Sequence, residues 1–259
     1  MGTIRGQPRG VDPGKRPSIC ICRATYSLPH LTSTQWAGRV GLSTKLTQFS
    51  DVYGLDDELL ALVPQPVKAV LLIFPITAET EASRKKIDEH IAQTGQPNLD
   101  PTLFFVKQTI SNACGTIALL HSIYNTDVTI KPDSPLQKFQ LQAIELNPDE
   151  RAKLLETTDL FATAHATAAS QGQSSLPPNL DTNQHFVAFV QAPDQGDGDE
   201  VDGDGMRLVE VDGRRPQPVD HGPSTDLLKD AAKLIKEKYI DTTDSLNFTI
   251  ITMGPPQAD

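Results

Sequence analysis

The stretch KQTISNACGTIALLHSIYN, residues 107–125, sets a turn-forming run, TISNACG, against an apolar run that reads as a helix over Cys114–Tyr124. The helix begins at the cysteine. A free cysteine in such a place is commonly a small apolar core residue. A helix N-terminus also lowers a thiol pKa, which makes Cys114 a candidate nucleophile. Gln108 stands six residues upstream, at the end of LFFVKQ (103–108). That segment reads as a buried strand or an approach to the helix.

Outward from this stretch, VKAVLLIFPI (67–76) is a continuous apolar run rich in β-branched residues and bounded by prolines, the pattern of a fully buried central strand. HFVAFVQ (185–191), MRLVEVDG (206–213) and LNFTIITM (246–253) supply further strands. Thr34–Leu42, Asp56–Val63, Ser134–Glu145 and Pro148–Thr157 read as helices, the last opened by NPDE. Ser224–Tyr239 carries apolar residues at helical spacing. Ala78–Thr94 is charged and reads as a helix or a mobile surface segment. Phe161–Thr182 is a long Ala/Ser/Gln/Pro loop, and 193–205 is an acidic, glycine-rich one. The mixture predicts an α+β or α/β domain built on a central sheet.

The 259 residues suffice for one large domain with a proper core. The longest apolar run, Ala69–Ile76, is far short of the ~20 residues of a membrane span. The net charge of −10 disfavours nucleic acid and favours a basic partner. That charge is uneven: Arg5, Arg9, Lys15, Arg16, Arg23 and Arg39 face only Asp12 in the first forty residues. Residues 1–33 read as a disordered lead-in, although an Arg-rich, acid-poor start also suits an organellar transit peptide. Three cysteines make no disulfide framework, which points to a reducing compartment.

A cysteine nucleophile needs a base. His121 lies two turns along the same helix, roughly 10 Å away, and reads as scaffold. His30, His90, His165 and His221 fall in lead-in, charged segment, loop and turn. His185 opens a strand and so has a rigid mount. If 185–191 pairs antiparallel with 206–212 so that Gln191 meets Met206, His185 falls opposite Asp212. Directly opposite side chains have Cβ atoms ~5 Å apart. Asp212 is then placed to orient the imidazole; otherwise it is a plain Asp-Gly turn residue. The Gln108 amide suits an oxyanion formed by thiol acyl transfer, or is merely a polar strand end. The loop DGDEVDGDG lacks the ligand spacing of a calcium site, and Cys20 and Cys22 have no second pair for a metal.

KQTISNACGTIALLHSIYN closely resembles the active-site segment of the ubiquitin C-terminal hydrolases, a family of thiol deubiquitinases (peptidase family C12-like). The resemblance continues in family order through FSDVYGLDDELLALVPQPVKAVLLIFPIT, LNPDERAKLLE, HATAASQGQ, DTNQHFVAFVQ, LVEVDGRRPQPVDHG and LNFTIITM, spanning about residues 34–259. It implies Cys114 as nucleophile, His185 as general base, Asp212 as the acid that orients the histidine, and Gln108 in the oxyanion hole, with no cofactor and no metal. It implies a papain-like core whose central antiparallel sheet has helices on both sides. It also implies a catalytic domain over 34–259, a crossover loop at 161–181 and an acidic insertion at 193–205. The family's backbone is knotted when its N-terminal strand is present, but residues 1–33 lack the expected opening segment. The implied partner is ubiquitin or a ubiquitin-like modifier, acted on by a cytoplasmic monomer; an inactive ubiquitin-binding module is the alternative.

Overall fold

The structure, a computed structural model, describes residues 29–164, 183–196 and 205–257. The N-terminal lead-in to residue 28, on which the family's knot would depend, with Cys20 and Cys22, most of the crossover loop and the centre of the acidic loop lie outside these residues. In chain order the elements are α1 (Pro29–Val40), β1 (Gln48–Asp51), α2 (Asp57–Leu60), β2 (Ala69–Pro75), α3 (Ala78–Thr94), α4 (Cys114–Tyr124), α5 (Pro135–Ala143), α6 (Pro148–Thr157), β3 (Gln184–Pro193), β4 (Met206–Val211), β5 (Val219–Ser224), α7 (Leu227–Ile235) and β6 (Thr249–Gly254). Local chemistry fixes several boundaries. Asn147 and Glu150 form a reciprocal capping box at α6, Thr77 and Thr80 do so at α3, and Ser134 caps α5 ahead of Pro135. The charged segment 78–94 is therefore a helix.

Six antiparallel strands form one sheet in the order β1-β6-β2-β3-β4-β5. β2 lies at its centre and is buried on both faces, which is why its sequence is apolar without alternation. Leu71 and Ile73 pack with α1, α4, α5 and α6 residues such as Trp36, Ile117, Leu120 and Phe139. Val70, Leu72 and Phe74 point the other way, into a second core with Leu60, Leu228, Ala231 and Ile235 of α2 and α7. The expected arrangement, a central antiparallel sheet with helices on both sides, is what the chain adopts.

Of the two readings of residues 103–108, strand or approach to the helix, the structure shows the approach. The backbone here is held by side chains: Phe104 N–H donates to Asn125 Oδ1 at 2.6 Å and Val106 N–H to His121 Nε2 at 3.0 Å. Three expectations change. The β3–β4 register differs by two residues from the one assumed, with Gln191 opposite Leu208 and Pro193 opposite Met206, because β3 runs on to Pro193. A shift of two keeps every side chain on its original face. Helix α1 begins at Pro29, earlier than Thr34. The sheet also gains two strands. β1 is only four residues long and pairs with β6. β5, whose sequence VDHGPS reads as a turn, pairs with β4 through an irregularity between Arg207 and Val209. The outer edge of β5 is blocked by Gln96, whose amide bonds Pro218 O and Asp220 N–H.

Candidate active site

Helix α4 is the axis of the site. Every residue from Cys114 to Ile123 is buried, so the helix is apolar all round and packs on β3 and β2. Cys114 is its first residue. The preceding Ala113 offers no side-chain cap, so the N–H groups of the first turn keep their electrostatic pull on the thiol. Asn112 takes up a left-handed conformation (φ 59°), which asparagine tolerates better than most residues, and turns the chain into the helix.

His185 is the second residue of β3, opposite Phe74 of β2, whose ring it meets edge-on at 5.6 Å. Asp212 follows directly after β4. The two groups are 2% exposed and in direct contact, with His185 Nε2 2.7 Å from Asp212 Oδ1. A carboxylate only accepts, so Nε2 carries the hydrogen and Nδ1 is left as the second ring nitrogen. The β-ladder ends at Ala188–Val211, so the pair is made across the splayed strand ends by side-chain reach, not by direct opposition. The Arg214 N–H donates to the same Asp212 oxygen at 2.9 Å, a local turn that fixes the carboxylate. Burial pushes the Asp212 pKa up, but the His185 charge and hydrogen bond and the Arg214 N–H outweigh it, and the group stays below the ordinary carboxylate range.

Gln108 is tied to this end of the sheet by its N–H, which donates to Gly213 O at 2.8 Å. Its amide nitrogen donates to Ile110 O over a long 3.4 Å, and its buried Oε1 has no partner among the described residues. Gly213 is where the three segments converge. A Cβ there would lie 3.0 Å from Ile117 Cγ2 of α4, 3.1 Å from Gln108 N and 3.1 Å from Val106 O. The structure thus brings His185 and Asp212 into contact, seats Gln108 against the residue after Asp212, and sets the first turns of the Cys114 helix beside both.

His121 is wholly engaged by backbone. Val211 O is an acceptor 3.1 Å from Nδ1, so Nδ1 carries the hydrogen, and Nε2 accepts from Val106. This histidine is scaffold, as its helix position suggested. Sequence reasoning overlooked the charged residues Glu210, Arg215 and His221 packed behind Asp212. Their signal was a glutamate inside an otherwise apolar strand core, LVEV. Among the described residues no three His, Cys, Asp or Glu side chains cluster as metal ligands do, and no helix is long and apolar enough to cross a membrane.

Residues 29–240 match the family described as ubiquitin carboxyl-terminal hydrolase, family 1. The chain belongs to this family. It is a cysteine-type hydrolase of the ubiquitin C-terminus. Among relatives, it is 38% identical over 224 residues to ubiquitin carboxyl-terminal hydrolase 3 of Arabidopsis thaliana, an alignment covering 85% of this chain and 88% of that one. It is 40% identical over 194 residues to ubiquitin carboxyl-terminal hydrolase isozyme L1 of Homo sapiens, covering 73% and 79%. In fold it is similar to the UCH37 catalytic domain of Trichinella spiralis, solved bound to ubiquitin vinyl methyl ester, with a TM-score of 0.61 over 87% of this chain and 92% of that one at 21% identity.

Proposed function

We propose that Cys114, His185, Asp212 and Gln108 carry out this hydrolysis by covalent catalysis. His185 Nδ1 takes the Cys114 thiol proton, and the resulting thiolate attacks the carbonyl carbon of the C-terminal glycine of ubiquitin, forming a tetrahedral oxyanion. The Gln108 amide and a backbone N–H at the start of α4 hold that oxyanion; the long bond from Gln108 to Ile110 O is one the amide can exchange for a stronger partner. Collapse breaks the bond to the leaving amine, alcohol or thiol, which takes its proton from His185 Nδ1. The thioester left on Cys114 is attacked by a water that gives a proton to His185, and ubiquitin leaves with a free carboxylate. Asp212 acts through the histidine, keeping hydrogen on Nε2 and stabilising the imidazolium.

The observation that carries this reading is the buried 2.7 Å contact of Asp212 with His185, the latter on the strand packed against the helix that Cys114 opens. No step calls for a metal or cofactor. A crossover of about twenty residues at 161–181 favours small adducts or unfolded peptides as leaving groups over folded ones, and the basic tail of ubiquitin suits an acidic protein. The cysteine usage supports action in the cytoplasm, and we take the active species to be a monomer.

Hydrolysis of a fluorogenic amide at the ubiquitin C-terminus tests the scheme. Wild-type protein turns it over, and Cys114→Ala abolishes turnover while leaving ubiquitin binding measurable. Binding without turnover by folded wild-type protein marks an inactive ubiquitin-binding module. Turnover that survives Cys114→Ala refutes the assigned nucleophile, and preference for a ubiquitin-like amide refutes the substrate.

A further inference from the structure

Asp212 borders a second cluster of charge that the mechanism does not use. Glu210, two residues earlier and on the same face of β4, is 1% exposed. Both its carboxylate oxygens are occupied. Oε1 accepts from Arg215 Nε at 2.6 Å, and Oε2 lies 2.9 Å from Nε2 of His221 on β5. Arg215 is as buried as Asp212, and its Nη1 also reaches Asp88 of α3 at 2.5 Å. Its N–H closes the catalytic turn on Asp212 O at 3.0 Å. Burial pushes Glu210 up, yet Arg215 and His221 outweigh it and hold it down to about 2, so it is an anion at neutral pH.

The remaining charged and titratable groups around the pair are few. Glu81 and Arg84 face it from α3, Arg214 from the turn, Lys238 and Tyr239 from the π-helical turn Lys236–Ile240 that follows α7, where Tyr239 also hydrogen-bonds Glu210, and His121 from α4. Glu81 is occupied by Arg214 and Arg84, and Arg84 also meets Asp88. The cavity between this network and the catalytic pair is about 20 Å³, room for about one water molecule. Glu210 and Asp212 are themselves 1% and 2% exposed, so bulk solvent screens them little from each other.

We propose that Arg215 is a positioning residue for the hydrolysis: by bridging Glu210 and Asp88 it neutralises the buried anion beside Asp212 and pins the Asp212–Arg215 turn, presenting the carboxylate to His185 in one orientation. The inference rests on the roles given above to His185 and Asp212. Removing the cation makes proton binding more favourable at every nearby group. Removing the Glu210 anion does the reverse.

The test compares Arg215→Met, Arg215→Lys and Glu210→Gln with wild type, each checked for folding by its melting temperature. The readouts are the pH profiles of kcat/KM and of Cys114 alkylation. With Glu210 and Asp212 two strand residues, ~7 Å, apart and an effective dielectric constant of ~20–40, an unmasked Glu210 raises proton affinity at Asp212 by about one pH unit, and Arg215→Met moves the acid limb up by at most that amount. Glu210→Gln moves it down. Arg215→Lys keeps the charge and leaves the limb in place, while losing the two-sided fork lowers kcat. If Arg215→Met does not fold, the downward shift in Glu210→Gln carries the test. An acid limb unmoved in folded Glu210→Gln, or moved the same way by both neutral variants, overturns the proposal. Alkylation needs no turnover, so this outcome is separable from a failure of ubiquitin hydrolysis itself.

Discussion

His121 makes acid stability a direct readout of how the site is held. Burial lowers its pKa from the ordinary 6.5 to about 4, against the upward pull of its bond to Val211, the Asp212 charge and its bond to Val106. Protonating Nε2 would also destroy the bond from Val106 N–H. The native protein therefore keeps this ring neutral down to about pH 4, while the unfolded chain protonates it from about 6.5. Between those values the unfolded state binds more protons, so stability falls as pH falls, by about 1.4 kcal/mol per unit. The total is about 3 kcal/mol, with no loss at pH 7 and above. His121→Gln keeps an amide donor and acceptor but cannot titrate. At pH 7 it should cost about 1–3 kcal/mol through imperfect hydrogen bonds and lost stacking on Phe105. Urea denaturation at pH 7, 6, 5 and 4 gives the comparison. Wild type should lose about 3 kcal/mol more than the variant across that range, so the two curves converge near pH 4. Parallel curves would refute the reasoning, because they would mean that His121 takes up its proton equally in both states.

Two other outcomes are expected. Gly213→Ala places a methyl about 3 Å from two backbone atoms and Ile117, which should cost about 1–3 kcal/mol in thermal or chemical denaturation and lower kcat/KM, since the displaced segments carry Gln108 and Asp212. Replacing residues 197–204 by a two-residue turn should leave kcat/KM within about twofold, because β3 separates that hairpin end from His185 by eight residues of ~3.3 Å rise; a large fall would show that the loop reaches the cleft.

Where the sequence spoke plainly, one strong local signal sufficed. Cys114–Tyr124 is a helix because the turn TISNACG and the apolar run meet at one residue, and NPDE capped α6 where it stands. The continuous apolar β2 announced a strand covered on both faces. Strands β1 and β5 were not legible. QFSD is too short to show alternation, and VDHGPS contains Gly and Pro and is kept in the sheet by β4 and by Gln96, 124 residues from Asp220. Phe104–Val106 has strand composition, but its hydrogen bonds go to Asn125 and His121 side chains, which no pattern in the segment reveals. The His185–Asp212 pair was legible through a register that proved two residues out, since that error preserves the face and the side chains close the gap. The Arg215–Glu210 bridge was not, because pairing of buried charges depends on which turn brings them together.

The bond from His121 to Val211, ninety positions apart, bears on how the enzyme is born. Helix α4 leaves the ribosome with its thiol roughly 100 residues ahead of Asp212, and translation at ~5–20 residues per second separates the two by roughly 5–20 s. For the first 71 of those residues Cys114 lacks the base proposed for it, and for nearly all of them it lacks the Val211 carbonyl that anchors its helix. With the roles proposed above, a nascent chain that stops short of Asp212 therefore carries an ordinary cysteine, and the site is assembled only once β3 and β4 have joined the sheet. Under those roles, the chain order of nucleophile, base and acid withholds peptidase activity until the strands that lead to Asp212 have been made.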